Sequence, residues 1–258
     1  MNYDTIQFDG ERAYLLPIGD IHYGDRACSD AARLKLQGNL DWLVEHRHEA
    51  RAILMGDVFN MAGRLTKTSP FESDPGEIRQ AIEFFRPYAP LIVGAIRGNH
   101  ERRCYEMFGF DPLELFCDQL GIKYWGISAV LKIQVGRRPA PESGSFWQTY
   151  YVYTHHTTGG GRSLGSALNV VTRLQDIITG CDVYCGGHNH QLVTGVKTVF
   201  QATANGPKDQ KVHFVSCGSY LGWEESYAEE AMMAPSKLGS PRLRFSGVRN
   251  HHDVHISI

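Results

Sequence analysis

Five short motifs stand in order along the chain, each just past an apolar run, and nothing else in the sequence restricts the fold as much. They are Gly19-Asp20-Ile21-His22, Gly56-Asp57, Gly98-Asn99-His100-Glu101, His155-His156 and Gly187-His188-Asn189-His190. The first three close the runs Ala13–Ile18, Ala52–Met55 and Leu91–Ile96, which read as buried strands. Helices fit between them. One follows Ser29 or Asp30 as cap, with Ala32, Leu36, Leu40 and Leu43 at helical spacing, and a second opens at Ser73 or Asp74, with Pro75 in its first turn, and runs to about Arg86. Strand alternating with helix predicts an α/β domain with parallel-sheet character. In such sheets ligands collect at the carboxyl ends of the strands, which is where the motifs stand.

The remaining segments have a different character. Tyr3–Phe8 and Arg12–Ile18 read as two strands of a hairpin turning at Asp9-Gly10. Ala129–Val135 and Gln148–Tyr153 read as an antiparallel pair, joined by a surface loop over Arg137–Phe146 with Pro139, Pro141 and Gly144. A helix is expected over Ser166–Thr179, then strands at Asp182–Cys185, Val196–Ala202, Val212–Ser216, Leu243–Phe245 and Val254–Ile258. No repeat or linker interrupts the 258 residues, so one domain over 1–258 is expected, its second half adding a second sheet to the first.

Taken singly, the motifs are ambiguous. Asp20 and His22 are two apart, so in an extended segment they point the same way and a carboxylate and an imidazole can grip one ion; they could also be a solvated loop pair. His188 and His190 repeat that spacing after Gly186-Gly187, where the backbone can bend tightly. Asp57 could be a helix cap, and Asn99 a turn residue in a left-handed conformation. Jointly they supply carboxylates, an amide and imidazoles with no thiolate. That set suits two divalent ions such as manganese, iron, zinc or nickel, and paired ions are a device for attacking phosphate esters.

The ordered set, Gly-Asp-Ile-His at 19–22, Gly-Asp-Val-Phe-Asn at 56–60, Gly-Asn-His-Glu at 98–101, the strand end at His155 and Gly-His-Asn-His at 187–190, resembles the calcineurin-like metallophosphoesterase superfamily over roughly residues 13–220. The resemblance implies a four-layer α-β-β-α sandwich of two mixed sheets with helices outside. It also implies that Asp20, His22 and His190 bind one metal, that Asn99, His155 and His188 bind a second, and that Asp57 bridges them. Manganese is the first expectation for both ions. His155 is preferred to His156 because the strand Tyr150–Thr154 runs straight into it, leaving His156 to support the site or face substrate. The resemblance keeps His100 off the metals as an acid for the leaving oxygen. It makes Asn60, where many relatives have an Asp or Asn, the group that steadies His100, here by a neutral hydrogen bond in place of an ion pair. Glu101 would either support His100 or cap a helix.

The implied reaction is hydrolysis of a phosphate ester by in-line attack of a metal-bridging hydroxide. Arg64, Lys67, Arg102, Arg103 and Arg162 lie close in sequence to the ligands and would form a local positive rim; Arg162 follows the glycine-rich Thr157–Gly161 loop, which lacks the Lys-Ser/Thr of a P-loop. Arg64, Arg102, Arg162 and His156 are the candidate substrate contacts. Gly218–Leu238 could wall the site, with Tyr220, Trp223 and Tyr227 stacking on bases. The Gly-Asp-Val-Phe-Asn string has some likeness to the family's DNA-repair exonuclease branch, and the wider motif order to its compact phage and prokaryotic members. Together these favour a phosphodiesterase acting on DNA, RNA or a nucleotide diester, as a small diesterase or endonuclease. A phosphomonoesterase is the rival enzyme; its protein Ser/Thr phosphatase form is weakened because Asn60-Met61-Ala62 stands where Asp-Arg-Gly would. A non-catalytic metal-binding scaffold would show eroded ligands, and none is eroded.

A net charge of −2 leaves no global basic field, so any nucleic acid must be held by a local patch. Six scattered cysteines without a Cys-x-x-Cys pair read as reduced core thiols. The start, Met1-Asn2-Tyr3-Asp4, resembles no signal peptide, and no apolar run approaches the ~20 residues that span a bilayer. A cytoplasmic protein without a membrane partner is expected. The sequence does not indicate an oligomeric state. His251, His252 and His255 carry no motif.

Overall fold

The computed structural model describes residues 1–25, 27–61, 76–137, 146–159, 163–204, 206–224, 227–230, 232 and 234–258. Arg64, Lys67, Arg162, the expected helix start at Ser73–Pro75 and most of the Arg137–Phe146 loop lie outside these described residues.

The chain runs β1 (Asn2–Asp9), β2 (Arg12–Ile18), α1 (Asp30–Glu45), β3 (Ala50–Leu54), α2 (Glu77–Phe85), β4 (Ile92–Ala95), α3 (Asn99–Phe108), α4 (Pro112–Leu120) and β5 (Lys123–Tyr124). It continues with β6 (Ser128–Arg137), β7 (Phe146–His155), α5 (Leu164–Thr172), α6 (Leu174–Ile177), β8 (Val183–Gly186), β9 (Leu192–Thr203), β10 (Gly206–Cys217), α7 (Tyr227–Glu230), β11 (Arg242–Ser246) and β12 (Val254–Ser257). These strands make two mixed six-stranded sheets, ordered β1-β6-β7-β8-β10-β9 and β12-β11-β2-β3-β4-β5.

Four layers follow from what the strands bury. Successive side chains leave opposite faces of a strand. In β2, Leu15 enters the core between the sheets, while Leu16 packs under the helices with Leu36, Leu40, Phe85 and Phe116. In β6, Leu131 faces the other sheet, and Val130 packs outward beside Val171 and Leu174. Both faces of these strands are covered, which is why their sequences read as continuous apolar runs. Helix caps are local: the Ser29 hydroxyl accepts from the Ala32 N–H at 3.4 Å, and the Asp111 carboxylate accepts from the Leu113 N–H at 3.0 Å ahead of Pro112.

Three expectations need correction. β1 and β2 are not a hairpin. β1 pairs in parallel with β6, and β2 pairs with β3 and β11 in the other sheet. Ile6 and Phe8 face Ala13 and Leu15 across the central core, so Asp9-Gly10 carries the chain from sheet to sheet. The helix expected over Ser166–Thr179 is two pieces, broken at Arg173 and finished by Ile177. Tyr220 is no stacking platform: its side chain is fully buried, its hydroxyl accepting from Asn39 Nδ2 at 2.8 Å and lying 2.9 Å from Ser240 Oγ.

All six cysteines are buried and free. His252 stacks on Tyr150 at 4.2 Å and lies 2.9 Å from Asp182 Oδ1, at the end of sheet strand β8 away from the motifs. Among the described residues no helix is long and apolar enough to cross a membrane.

Tyr220→Phe removes both hydroxyl contacts and keeps the ring. It is expected to lower unfolding stability by about 1 kcal/mol, read from urea titration. An unchanged midpoint would mean the hydroxyl does not tie the 218–240 segment to α1.

Candidate metal centre

The carboxyl ends of β2, β3 and β4 from one sheet meet those of β7 and β8 from the other, and each delivers one motif. Beyond β2 and β3 the backbones stay paired. The Ile21 and His22 N–H groups both donate to the Asp57 carbonyl, at 2.9 and 3.0 Å, and the Tyr23 N–H donates to Val58 O at 2.8 Å. Asp20, His22, Asp57, His188 and His190 all adopt left-handed φ, between 49° and 76°. That conformation costs an L-residue about 1–2 kcal/mol, and Asp, Asn and His tolerate it best. It turns each side chain off its strand into the cleft.

Six of the seven predicted metal ligands come together, joined by His100 and His156. Three overlapping trios each offer one donor atom per residue within 4.8 Å of the others: Asp20–His22–His190, His22–Asp57–His100 and Asp57–His156–His188. Asn99 joins the last, its Oδ1 lying 2.7 Å from His188 Nδ1 and 3.0 Å from His156 Nε2. Both Asp20 oxygens accept from the His188 N–H at 3.0 Å, and His190 Nε2 is 3.3 Å from Oδ1.

His155 does not take part; its neighbour His156 does. The His155 Nδ1 accepts from the Thr157 N–H at 2.7 Å, and its ring lies on the outer face of β7 with Tyr153. His156 is buried, with Nδ1–H donated to Met55 O at 2.7 Å and Nε2 3.2 Å from Asp57 Oδ2. The parity of β7 decides this. Tyr150 and Val152 face the other sheet, and His156 continues that side. Because β7 is apolar on both faces, hydrophobicity did not distinguish the two.

Two supporting roles also differ from expectation. His100 Nδ1–H donates to the backbone carbonyl of Asn60, not to its side chain, and the buried Asn60 Nδ2 has no partner among the described residues. Glu101 neither supports His100 nor serves only as a cap. Wholly buried, it accepts from the N–H groups of Gly98, Asp57, Val58 and Phe59 at 2.9, 3.0, 2.7 and 3.1 Å. It clasps the turn after β3 to the start of α3. Arg102 is exposed and paired with Glu106 one turn along at 2.7 Å.

A family model for calcineurin-like phosphoesterases matches residues 15–192, well over half the chain. The chain belongs to that family. No curated protein matches it in sequence. Among solved structures it is similar to the NAD nucleotidase of Haemophilus influenzae, with 10% identity and a TM-score of 0.40. The match takes in 96% of this chain and 49% of that one, so the chain spans about half that protein's length.

The family's divalent metals fit these residues. Burial alone would raise Asp57, but His156, by charge and hydrogen bond, and then His100 and His22 hold it well below the carboxylate range. Burial would likewise lower His156, yet Asp57 outweighs it and pushes the ring up to about 10. Burial, then His100, holds His22 well below 6.5, and burial with His156 lowers His188, so both keep lone pairs free. His190 is raised, Asp20 overcoming its burial. Glu101 is pushed up to about 7 by burial and by the Asp57 charge in front of it. The cluster thus demands positive charge beside Asp57, and its atoms are the oxygen and imidazole donors that manganese, iron, zinc or nickel accept.

An ion taking His156 Nε2 must displace the proton held there below about pH 10. Affinity should therefore rise with pH throughout the range below about 10, with about one proton released per ion at this position near neutrality. Titration calorimetry in two buffers of different ionisation enthalpy measures that release, and none would remove His156 from the ligand set. Glu101→Gln leaves backbone N–H groups short of an acceptor, so a loss of about 1–3 kcal/mol in urea unfolding is expected. A loss confined to metal binding would show that Glu101 acts on the ions and not on the backbone.

Proposed function

We propose that this chain is a two-metal phosphodiesterase whose substrate is a nucleic acid or a nucleotide diester. The observation that supports it best is the sharing of His22 and Asp57 among the three donor trios, which makes one continuous site long enough for two ions. Asp20, His22 and His190 would hold one ion and Asn99, His156 and His188 the other, with Asp57 serving both. Manganese is the first candidate. Bound there, such ions supply Lewis-acid charge to the phosphate oxygens and activate water for in-line attack.

The remaining chemistry belongs to His100. The Asn60 carbonyl occupies its Nδ1–H, so Nε2 is the nitrogen left for proton transfer. The His100 backbone N–H donates to Asp57 Oδ1 at 2.8 Å, which keeps this ring beside the bridging carboxylate. Its ring stands edge-on to His22 with centroids 4.5 Å apart. A protonated Nε2 there can give its proton to the departing oxygen. Glu101, buried behind Asp57, keeps both turns in register.

The test compares manganese-dependent hydrolysis of bis-p-nitrophenyl phosphate with that of the monoester. Diester turnover, abolished in Asp57→Asn, is expected. Turnover of the monoester alone would reassign the protein as a phosphomonoesterase. His100→Asn should slow a diester with an alkyl leaving group by about 10²–10⁴-fold, and a p-nitrophenyl diester far less, because that anion departs without a proton. Equal losses on both would give His100 a positioning role in place of acid catalysis.

A further inference from the structure

Three arginines flank the His100 motif, and their surroundings differ. Arg97 pairs with the buried Asp111 at 3.3 Å and covers the Tyr105 ring at 5.1 Å. Arg102 pairs with Glu106 at 2.7 Å on the outer surface of α3. Arg103 is half-buried, and among the described residues it has no carboxylate and no hydrogen-bond acceptor. A planar, permanently charged fork held partly out of water without an anion is poorly satisfied by the protein alone.

Its place on the helix says where that anion would lie. Residues three apart on a helix share a face. Arg103 therefore stands one turn beyond His100 on the same side of α3, while Glu101 and Cys104 point into the protein. The helix begins at Asn99, beside His156 and His188, so each further residue lies farther from the metal donors, by about 1.5 Å along the axis. If His100 attends the leaving oxygen, what lies over Arg103 is the leaving group itself.

We propose that Arg103 binds a second phosphate, carried on the leaving group of the substrate. This rests on the phosphodiesterase reading above and narrows it to substrates with successive phosphates, as along a nucleic-acid strand. Bidentate guanidinium–phosphate pairing suits a half-buried arginine, and a charge-assisted pair of this kind is strong enough to set preference among substrates. His100 and Arg103 then divide the leaving side of the cleft, the first taking the scissile oxygen and the second the next phosphate.

The experiment uses the manganese-loaded full chain and three thymidine dinucleotides: one with no terminal phosphate, one with a 5′-phosphate and one with a 3′-phosphate. One of the two terminal phosphates is expected to raise kcat/KM about tenfold or more, through KM. That ratio should collapse towards one in Arg103→Gln and recover in part in Arg103→Lys, with melting temperature and metal stoichiometry confirming that both variants fold. No advantage for either phosphate in the wild type, or an advantage that survives Arg103→Gln, overturns the proposal. An equal collapse in Arg102→Gln overturns it too, since the effect would then be the general charge of the helix. Failure of the diesterase reading looks different, because none of the three dinucleotides would be cleaved. In that case calorimetry with thymidine 3′,5′-bisphosphate against the two monophosphates still decides the claim: a bisphosphate preference lost in Arg103→Gln supports it, and no preference sinks it.

Discussion

Asp57 is a carboxylate almost wholly closed to water, and the structure around it is arranged to answer that one charge. An isolated buried carboxylate would be costly enough to protonate. Here His156 lies 3.2 Å away, His22 3.9 Å away, and the His100 N–H donates to its other oxygen. The three groups come from β2, β7 and α3, which belong to both halves of the sandwich. Neither sheet could carry this carboxylate alone, and the joint between the sheets is where it becomes tolerable. The same convergence makes the spot suitable for divalent cations, which supply more charge than an imidazolium does.

A second acid stands directly behind the first. Glu101 spends its carboxylate on four backbone N–H groups, one of them that of Asp57 itself. Close approach makes this possible. A Cβ on Gly56, which sits at φ +86°, would come within 2.7 Å of His156 Nδ1, and one on Gly98 would collide with Asp57. These glycines let the two turns touch so that Glu101 can reach both. The left-handed backbone at Asp20, His22, Asp57, His188 and His190 persists because such contacts over-determine it. Strain in the loops is thus held by packing beneath them.

Much of the α/β core was legible in the sequence because its signals are local. Apolar runs ending at Gly-Asp or Gly-Asn mark strand ends, and Ser29 with Leu36, Leu40 and Leu43 marks α1. Other elements were missed although they carried a signal. Asp111-Pro112 and Gly121, a cap, a first-turn proline and a left-handed stop, bound α4 as clearly as Ser29 opens α1. The hairpin expected at Asp9-Gly10 failed for a different reason. A turn dipeptide reports that the chain bends, and says nothing about whether the flanking strands then pair with each other or with distant ones.

By itself the sequence determined which side chains could do chemistry and that they fall at strand ends, because residue type and strand periodicity are properties of the chain. Only the tertiary structure decided which neighbour of a pair is used. His156, and not His155, joins the donor cluster because β7 is covered on both faces and only its partner sheet shows which parity looks inward. The support of His100 passed from an Asn60 side chain to the Asn60 carbonyl, and Arg102 turned to Glu106 along α3, because backbone direction and helix phase are three-dimensional facts. The brace from Glu101 to Asp57 joins groups 44 positions apart, and no local pattern of residues encodes a contact of that range.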